Sequence, residues 1–316
     1  MNFYASSDFL ETVATVHFPG QRHSIDDYEV QGQTFRLLTL GGRKVITQCT
    51  FLDYHEPLAP AERTTATPRT LYLEDVARRV VTMKDWQDDP SGFGMRPAPF
   101  VDFEGFARYE DYQAFIAKRT KDRFKKNARL RERLAEDFGE LSFSVDDTRA
   151  DVLDKSLTWK SQQLRDTGLP DVLANPANWE FYRELRRRGV LRASTLRARE
   201  RLLAAWLGYV HEGYWSGWIF TYDHDPALKK YSLGWQLMES LLKQCHAEGL
   251  RGFDFSVGSS DYKLAYGTHV RLLSPHGTLP LGRRVTQQLK AGLKPVLARF
   301  PKLLEGARTL QHRLRT

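Results

Sequence analysis

The chain has 316 residues, a formal net charge of +8, and 41% hydrophobic and 27% charged residues. This composition is typical of a globular protein with a sizeable core and argues against a disordered one. No apolar run approaches the roughly 18 residues of a membrane-spanning helix, and we expect no signal peptide. The only two cysteines are Cys49 and Cys245. They argue against a disulfide framework or a cysteine-based zinc site and favour a reducing cytoplasm.

Residues 1–108 predict an N-terminal α/β unit. Apolar runs flank Gly41-Gly42, and a Gly-Gly pair supplies the positive φ of a tight turn, so a hairpin is predicted there. Its strands are expected at 35–40 and 44–47. Stretches rich in proline and polar residues predict two loops, and the segment between them predicts a helix. The loops are expected at 56–70 and 89–101, and the helix at 73–86.

Residues 109–190 predict a mainly helical connector. One long helix is expected over 109–138, because a loose apolar stripe runs along it and Gly139 follows. The alternating residues 141–145 predict a strand. Two further helices are expected near 148–166 and 176–188.

Residues 191–280 predict a regular core with an informative element order. Three strands come first, at 191–199, 202–211 and 214–222. A helix is then expected from Ser232, with Gly249 at its C-cap position. A strand, a short helix and a last strand complete the order, at 253–257, 262–266 and 270–273.

The junction between the third strand and the helix carries the main chemical signal. Lys229 and Lys230 precede the helix, Ser232 is a candidate N-cap, and Gly234 is expected to let a ligand approach the backbone. A helix N-terminus presents unpaired N–H groups and the positive end of the helix dipole, which suits a pyrophosphate. The pattern alone indicates only an anion-friendly helix start.

In this order of elements, the sequence resembles the GNAT N-acetyltransferases. Within them it is similar to the cellulose-biosynthesis-type (CelD/BcsL) acetyltransferases, a branch akin to the FemAB-like enzymes. Three short motifs carry the resemblance, which covers about 110–273. They are Tyr231-Ser232-Leu233-Gly234-Trp235, Asp254-Phe255-Ser256-Val257-Gly258 and Tyr262-Lys263. Leu233 departs from the usual Pro, and Tyr266 from a frequent Trp.

The resemblance implies an α+β fold of α/β/α layers, the GNAT fold, with a mixed, mostly antiparallel sheet flanked by helices and a second, partial GNAT-like unit at the N-terminus. It also implies acyl-CoA as cosubstrate and a small-molecule or glycan acceptor. The expected pyrophosphate site consists of Lys230, Tyr231, Ser232, Leu233, Gly234 and Trp235. The expected pantetheine-binding backbone is Ile219, Phe220, Thr221 and Tyr222.

Three residues are candidates for catalysis. Asp254, placed between two Phe residues on a strand, is a candidate base for the acceptor, or else a structural cap of the following turn or a partner of Lys263. By resemblance, Tyr262 would protonate the leaving thiolate, with core packing as the alternative. Lys263 would bind the acceptor or orient Asp254, with a surface lysine as the alternative. No metal is expected, because the histidines lack ligand spacing.

Two basic segments carry the excess positive charge. Each holds nine Lys and Arg residues, against two acids in 117–133 and one acid in 281–316. Segment 117–133 is expected to face solvent or an anionic ligand. The tail 281–316 is expected either to pack on the body or to contact an anionic membrane surface, which would be that of the inner membrane. Nucleic acid is not expected as a partner. The alternatives to acyl-CoA transfer are a FemAB-like transferase that uses aminoacyl-tRNA and a non-catalytic GNAT-fold binding subunit in polysaccharide or lipid assembly.

Overall fold

The computed structural model describes residues 3–58, 71–89, 94–121 and 123–279. The helices are α1 (Ser7–His17), α2 (Met83–Asp88), α3 (Tyr109–Thr120), α4 (Arg123–Phe138), α5 (Asp151–Asp166), α6 (Pro176–Arg187), α7 (Leu233–Ala247) and α8 (Asp261–Tyr266). The strands are β1 (His23–Val30), β2 (Gln33–Leu40), β3 (Lys44–Ile46), β4 (Tyr72–Thr82), β5 (Arg96–Asp102), β6 (Leu141–Ser144), β7 (Arg192–Ala198), β8 (Arg201–His211), β9 (Tyr214–Tyr222), β10 (Gly252–Asp254) and β11 (His269–Gly277). The tail 281–316 lies outside the described residues.

Two sheets organise the described residues. Strands β1, β2 and β3 form a small antiparallel sheet, which confirms the predicted Gly-Gly hairpin. The main sheet has eight strands in the order β4-β11-β5-β10-β9-β8-β7-β6, and all its neighbours are antiparallel except β9 and β10. The predicted α+β class with a mostly antiparallel sheet is confirmed.

The main sheet lies between two helical layers, each with its own apolar core. Residues of α3, α4 and α7 pack on one face, around Tyr112, Leu134 and Leu237. Helices α1, α5 and α6 pack on the other face, around Phe9 and Phe181. This is the predicted α/β/α layering. Within the described part of the chain, no helix combines the length and apolar character needed to cross a membrane.

The segment 73–86 is a strand followed by a short helix, so the helix predicted there is wrong for most of its length. Strand β4 pairs with β11, a segment nearly two hundred residues later in the chain. Its buried residues Leu73, Val76 and Val81 pack in apolar clusters. Local residue preference is weak, and pairing with a distant strand overrides it.

The segment 89–101 contains strand β5, so the loop predicted there is also wrong. Its prolines favoured a loop, because proline cannot donate to a strand ladder. Here the carbonyl oxygens of Pro97 and Pro99 accept from the backbone N–H groups of Gly258 and Phe255. Within a strand a residue's N–H and C=O point to the same neighbour, so both missing donors face the side where β10 has already ended.

The single long helix predicted over 109–138 is two helices. Lys121 adopts a left-handed conformation, with φ of 45°, and ends α3. Tyr112 and Ile116 are buried in α3, whereas α4 buries mainly Asn127 and Leu134. The elements predicted at 141–145, 148–166 and 176–188, and those from 191 to 273, are confirmed with shifted ends.

Candidate active site

The strands β9 and β10 separate after a short parallel pairing. Gly252, Phe253 and Asp254 pair with Tyr214, Trp215 and Ser216, and β10 ends there. The chain then turns toward β5 through the contacts to Pro97 and Pro99. Strand β9 continues to Tyr222 with only β8 beside it. Its backbone over 217–222 therefore faces a wedge-shaped gap in the sheet.

A pocket of about 610 Å³ lies along this gap, between β9 and the start of α7. We call it the α7 pocket. Aromatic side chains from β8, β9, α7 and α8 form its apolar walls, and the turn after β9 supplies polar groups. Its lining includes Trp206, Phe220, Tyr222, His224, Lys229, Ser232, Leu233, Gly234, Trp235, Met238 and Tyr262.

The start of α7 forms one end of the pocket. Ser232 is the N-cap residue of α7, as predicted, and adopts a left-handed conformation, but its side chain makes no capping hydrogen bond. Instead, its carbonyl oxygen accepts from the N–H groups of Trp235, at 2.9 Å, and Gln236, at 3.3 Å. The first N–H groups of a helix have no intrahelical acceptor. Those of α7 belong to Leu233 and Gly234, both of which line the pocket.

Gly234 has a packing role that the sequence did not predict. A Cβ atom at this position would lie 2.5 Å from Cζ of Phe220. The absence of a side chain therefore lets the Phe220 ring pack against the first turn of α7, and this contact shapes the pocket wall.

The structure divides the predicted donor-site residues into two groups. Phe220, Tyr222 and the segment 232–235 line the α7 pocket. Lys230, Tyr231, Ile219 and Thr221 do not. Lys230 pairs with Asp137 at 3.4 Å, and the buried Tyr231 donates its hydroxyl to the same carboxylate. Ile219 and Thr221 are buried, so only their backbone reaches the gap.

Asp254 lies at the end of β10, and both of its carboxylate oxygens have partners. Its side chain is 2% exposed. One oxygen accepts from the backbone N–H of Ser256 at 2.9 Å, and the other accepts from the Tyr54 hydroxyl at 2.8 Å and lies 3.4 Å from the Arg271 guanidinium. These contacts match the structural alternative, a carboxylate that caps the following turn.

Lys263 and Tyr262 lie on α8, next to the gap. The Lys263 ammonium donates to the carbonyl oxygens of Val257, at 2.7 Å, and Ser256, at 3.4 Å. Burial lowers the pKa of Lys263. Tyr262 lines the α7 pocket, and burial raises its pKa to about 12, so its hydroxyl keeps its proton at neutral pH.

The sequence did not predict that residues of the N-terminal segment contact the loop that follows β10. Asp53 accepts from the Tyr4 hydroxyl at 3.0 Å and from the Ser256 hydroxyl. Burial raises the pKa of Asp53. Asp53 and Ser256 lie 203 positions apart in the sequence. No local pattern could have joined them.

Among the residues described, no group of three or more His, Cys, Asp or Glu side chains is placed to hold a metal ion.

Comparisons with known proteins agree with this architecture. Residues 122–264 match the family model described as "Acetyltransferase (GNAT) domain". The crystal structure of FemX matches with a TM-score of 0.54 and 9% identity, over 91% of this chain and 94% of that one. Two other structures match with lower TM-scores. They are L-PGS from Bacillus licheniformis (0.41, 14% identity, 71% and 72% of the two chains) and a conserved protein of unknown function from Bacteroides thetaiotaomicron VPI-5482 (0.47, 9% identity, 87% and 90%).

A comparison with curated protein sequences finds no match. The FemX likeness, together with the match over residues 122–264, shows that the protein has a GNAT fold.

Proposed function

We propose that this protein transfers an acyl group directly from an acyl-CoA to an amine or hydroxyl of a small molecule or glycan precursor. The observation that supports this is the α7 pocket, where a helix N-terminus meets a strand edge that has lost its neighbour. The N–H groups of Leu233 and Gly234, the helix dipole and Lys229 together favour a pyrophosphate at one end.

In this proposal, pantetheine lies along β9 and its amides pair with the backbone groups of 217–222 that face the gap. A backbone N–H of this edge polarises the thioester carbonyl, an electrostatic contribution to catalysis. The thiolate that leaves takes a proton from the Tyr262 hydroxyl, which is protonated at neutral pH. Alignment of the thioester with the acceptor supplies much of the acceleration.

The proposal predicts that acetyl-CoA stabilises the protein against heat. A ligand at a hundred times its dissociation constant adds about 2.7 kcal/mol of stability. Pantetheine is the matched control, since it lacks the pyrophosphate that the start of α7 is proposed to hold, and it should stabilise much less. Differential scanning fluorimetry measures the binding, and a thiol assay follows CoA release with a panel of amines and amino sugars. The absence of both stabilisation and thiol release would contradict the proposal.

One observation favours an alternative, a transferase that takes its acyl group from aminoacyl-tRNA. Lys125, Lys126, Arg129 and Arg133 of helix α4 border an open hollow on the surface. Arg123 of the same helix stacks 4.4 Å from the ring of Trp235 at the α7 pocket. Cations of this kind bind a phosphate backbone in a salt-dependent way. In the same assay, transfer that depends on a charged tRNA and is abolished by RNase would support the alternative. The cellulose-biosynthesis-type branch and a glycan acceptor stay predictions from the resemblance.

A further inference from the structure

A polar cluster lies beside the gap between β9 and β10. We call it the Asp53 cluster, and it consists of Tyr4, Asp53, Ser256 and Lys263. Asp53 Oδ2 accepts from Tyr4 Oη and from Ser256 Oγ. Lys263 holds the carbonyl oxygens of Ser256 and Val257. The cluster therefore joins the N-terminal segment to the loop that follows β10.

The Asp53 cluster bridges the two strands where they separate. Ser256 follows the end of β10 by two residues. On the β9 side, Trp218 Nε1 donates to the Tyr4 hydroxyl at 3.0 Å, and Trp218 lies in the stretch that has lost β10 as a neighbour. Tyr4 and Trp218 belong to the side of the sheet that packs against α1, α5 and α6, whereas Trp206 of the α7 pocket belongs to the opposite core. The cluster and the pocket thus approach the same gap from opposite faces of the sheet.

Asp53 differs from its buried neighbour Asp254 in the hydrogen bonding of its two carboxylate oxygens. Both oxygens of Asp254 are occupied, and its side chain is 2% exposed. Asp53 is only half-buried, and both of its hydrogen bonds fall on Oδ2. Within the part of the chain that the structure describes, Oδ1 has no hydrogen-bond partner.

Two features hold the carboxylate in place and set its basicity. Ser256 has φ of 59°, a conformation that a serine rarely adopts, and this conformation accompanies its hydroxyl contact to Asp53. Backbone held in a sparsely populated region is frequent at functional sites. Burial raises the pKa of Asp53, and the hydrogen bonds from Ser256 and Tyr4, with the positive charge of Lys263, oppose that rise. A carboxylate with a raised pKa is a better proton acceptor than a fully solvated one.

We propose that Asp53 is the general base of the acyl transfer and that the acceptor enters from the face of the sheet that carries the Asp53 cluster. This inference rests on the proposed function. The acceptor nitrogen or oxygen attacks the thioester carbonyl carbon, a C–N or C–O bond forms and the C–S bond breaks. The acceptor proton passes to Asp53 Oδ1, the CoA thiolate takes a proton from Tyr262, and both side chains then exchange protons with solvent to restore the starting state. Asp254 is a positioning residue that holds the turn carrying Ser256.

The test compares Asp53→Asn with Asp75→Asn. Asp75 is a suitable control because it is also half-buried, burial also raises its pKa, and it pairs with Arg96 at the edge strand β4, outside the proposed site. Thiol release from acetyl-CoA is followed with the panel acceptor that reacts fastest with the wild type. General-base catalysis contributes about 10²- to 10⁴-fold. We therefore expect kcat to fall at least about 100-fold in Asp53→Asn, with the acidic limb of its pH profile lost, while CoA binding and Tm stay unchanged.

Three outcomes overturn the inference. A wild-type rate and pH profile in Asp53→Asn would show that another group accepts the proton. Loss of CoA-dependent stabilisation together with activity would show that Asp53 serves the fold. Equal losses in Asp75→Asn would show a general effect of removing a carboxylate. If the wild-type protein itself neither binds CoA nor releases thiol, the proposed function fails, a result distinct from these three.

Discussion

Thr221 and Thr195 are both buried in the main sheet, but their hydroxyl groups have different surroundings. The hydroxyl of Thr195 donates to Asp147 at 2.9 Å. The hydroxyl of Thr221, on the stretch of β9 beside the gap, is buried and has no hydrogen-bond partner among the described residues. A buried polar group without a partner costs about 1–3 kcal/mol. The two residues therefore make a matched pair for measuring that cost.

We predict that Thr221→Val raises the free energy of unfolding by about 1 kcal/mol, because valine has the same shape and removes the unpartnered hydroxyl. Thr195→Val should lower it by about 1 kcal/mol or more, since Asp147 loses a donor. Urea unfolding measures both. CoA release should persist in Thr221→Val, because the proposed donor contact at Thr221 uses its backbone. Equal destabilisation of the two variants would show that the Thr221 hydroxyl has a partner in solution.

At the scale of elements, the start of α7 depends on its contact with β9. Replacing glycine by alanine within a helix ordinarily stabilises a protein by about 0.5–1 kcal/mol. At Gly234 the new Cβ would lie 2.5 Å from the Phe220 ring, so the ring has to move. The same ring forms a wall of the α7 pocket, and one substitution therefore tests packing and binding together.

We predict that Gly234→Ala lowers the free energy of unfolding by about 1–3 kcal/mol, the usual cost of overpacking. It should also weaken the stabilisation by acetyl-CoA. Adding Phe220→Leu shortens the opposing side chain and should recover part of the lost stability. A double-mutant cycle in urea isolates the coupling between the two positions. Additive effects, with no recovery, would argue against the contact.

At the scale of the whole molecule, the N-terminal third is built into the main sheet. Strand β5 lies between β11 and β10 and pairs with both, and β4 covers the other edge of β11. The boundary expected at residue 108 therefore does not separate two sheets. Tyr4 and Asp53, from the same third, contact Trp218 and Ser256.

A fragment of residues 109–279 is expected not to fold, because β11 loses both neighbours and β10 loses one. Unpaired backbone groups that would otherwise be buried are costly, and an exposed strand edge promotes aggregation. The amide spectrum of the fragment should be poorly dispersed in NMR, with the full chain as the reference. A dispersed spectrum and cooperative unfolding of the fragment would show instead that residues 109–279 fold independently.

The sequence by itself determined the order of elements from 191 to 273 and the segment 232–235 as a pocket-lining helix start. Those features depend on local periodicity, glycine placement and helix-end chemistry, which neighbouring residues specify. Only the tertiary structure decided that 72–82 and 96–102 are strands, that Gly234 makes room for Phe220, and that Asp53 meets Ser256. Their partners are distant in the chain, and a strand or a buried carboxylate takes its identity from the neighbour that folding brings to it.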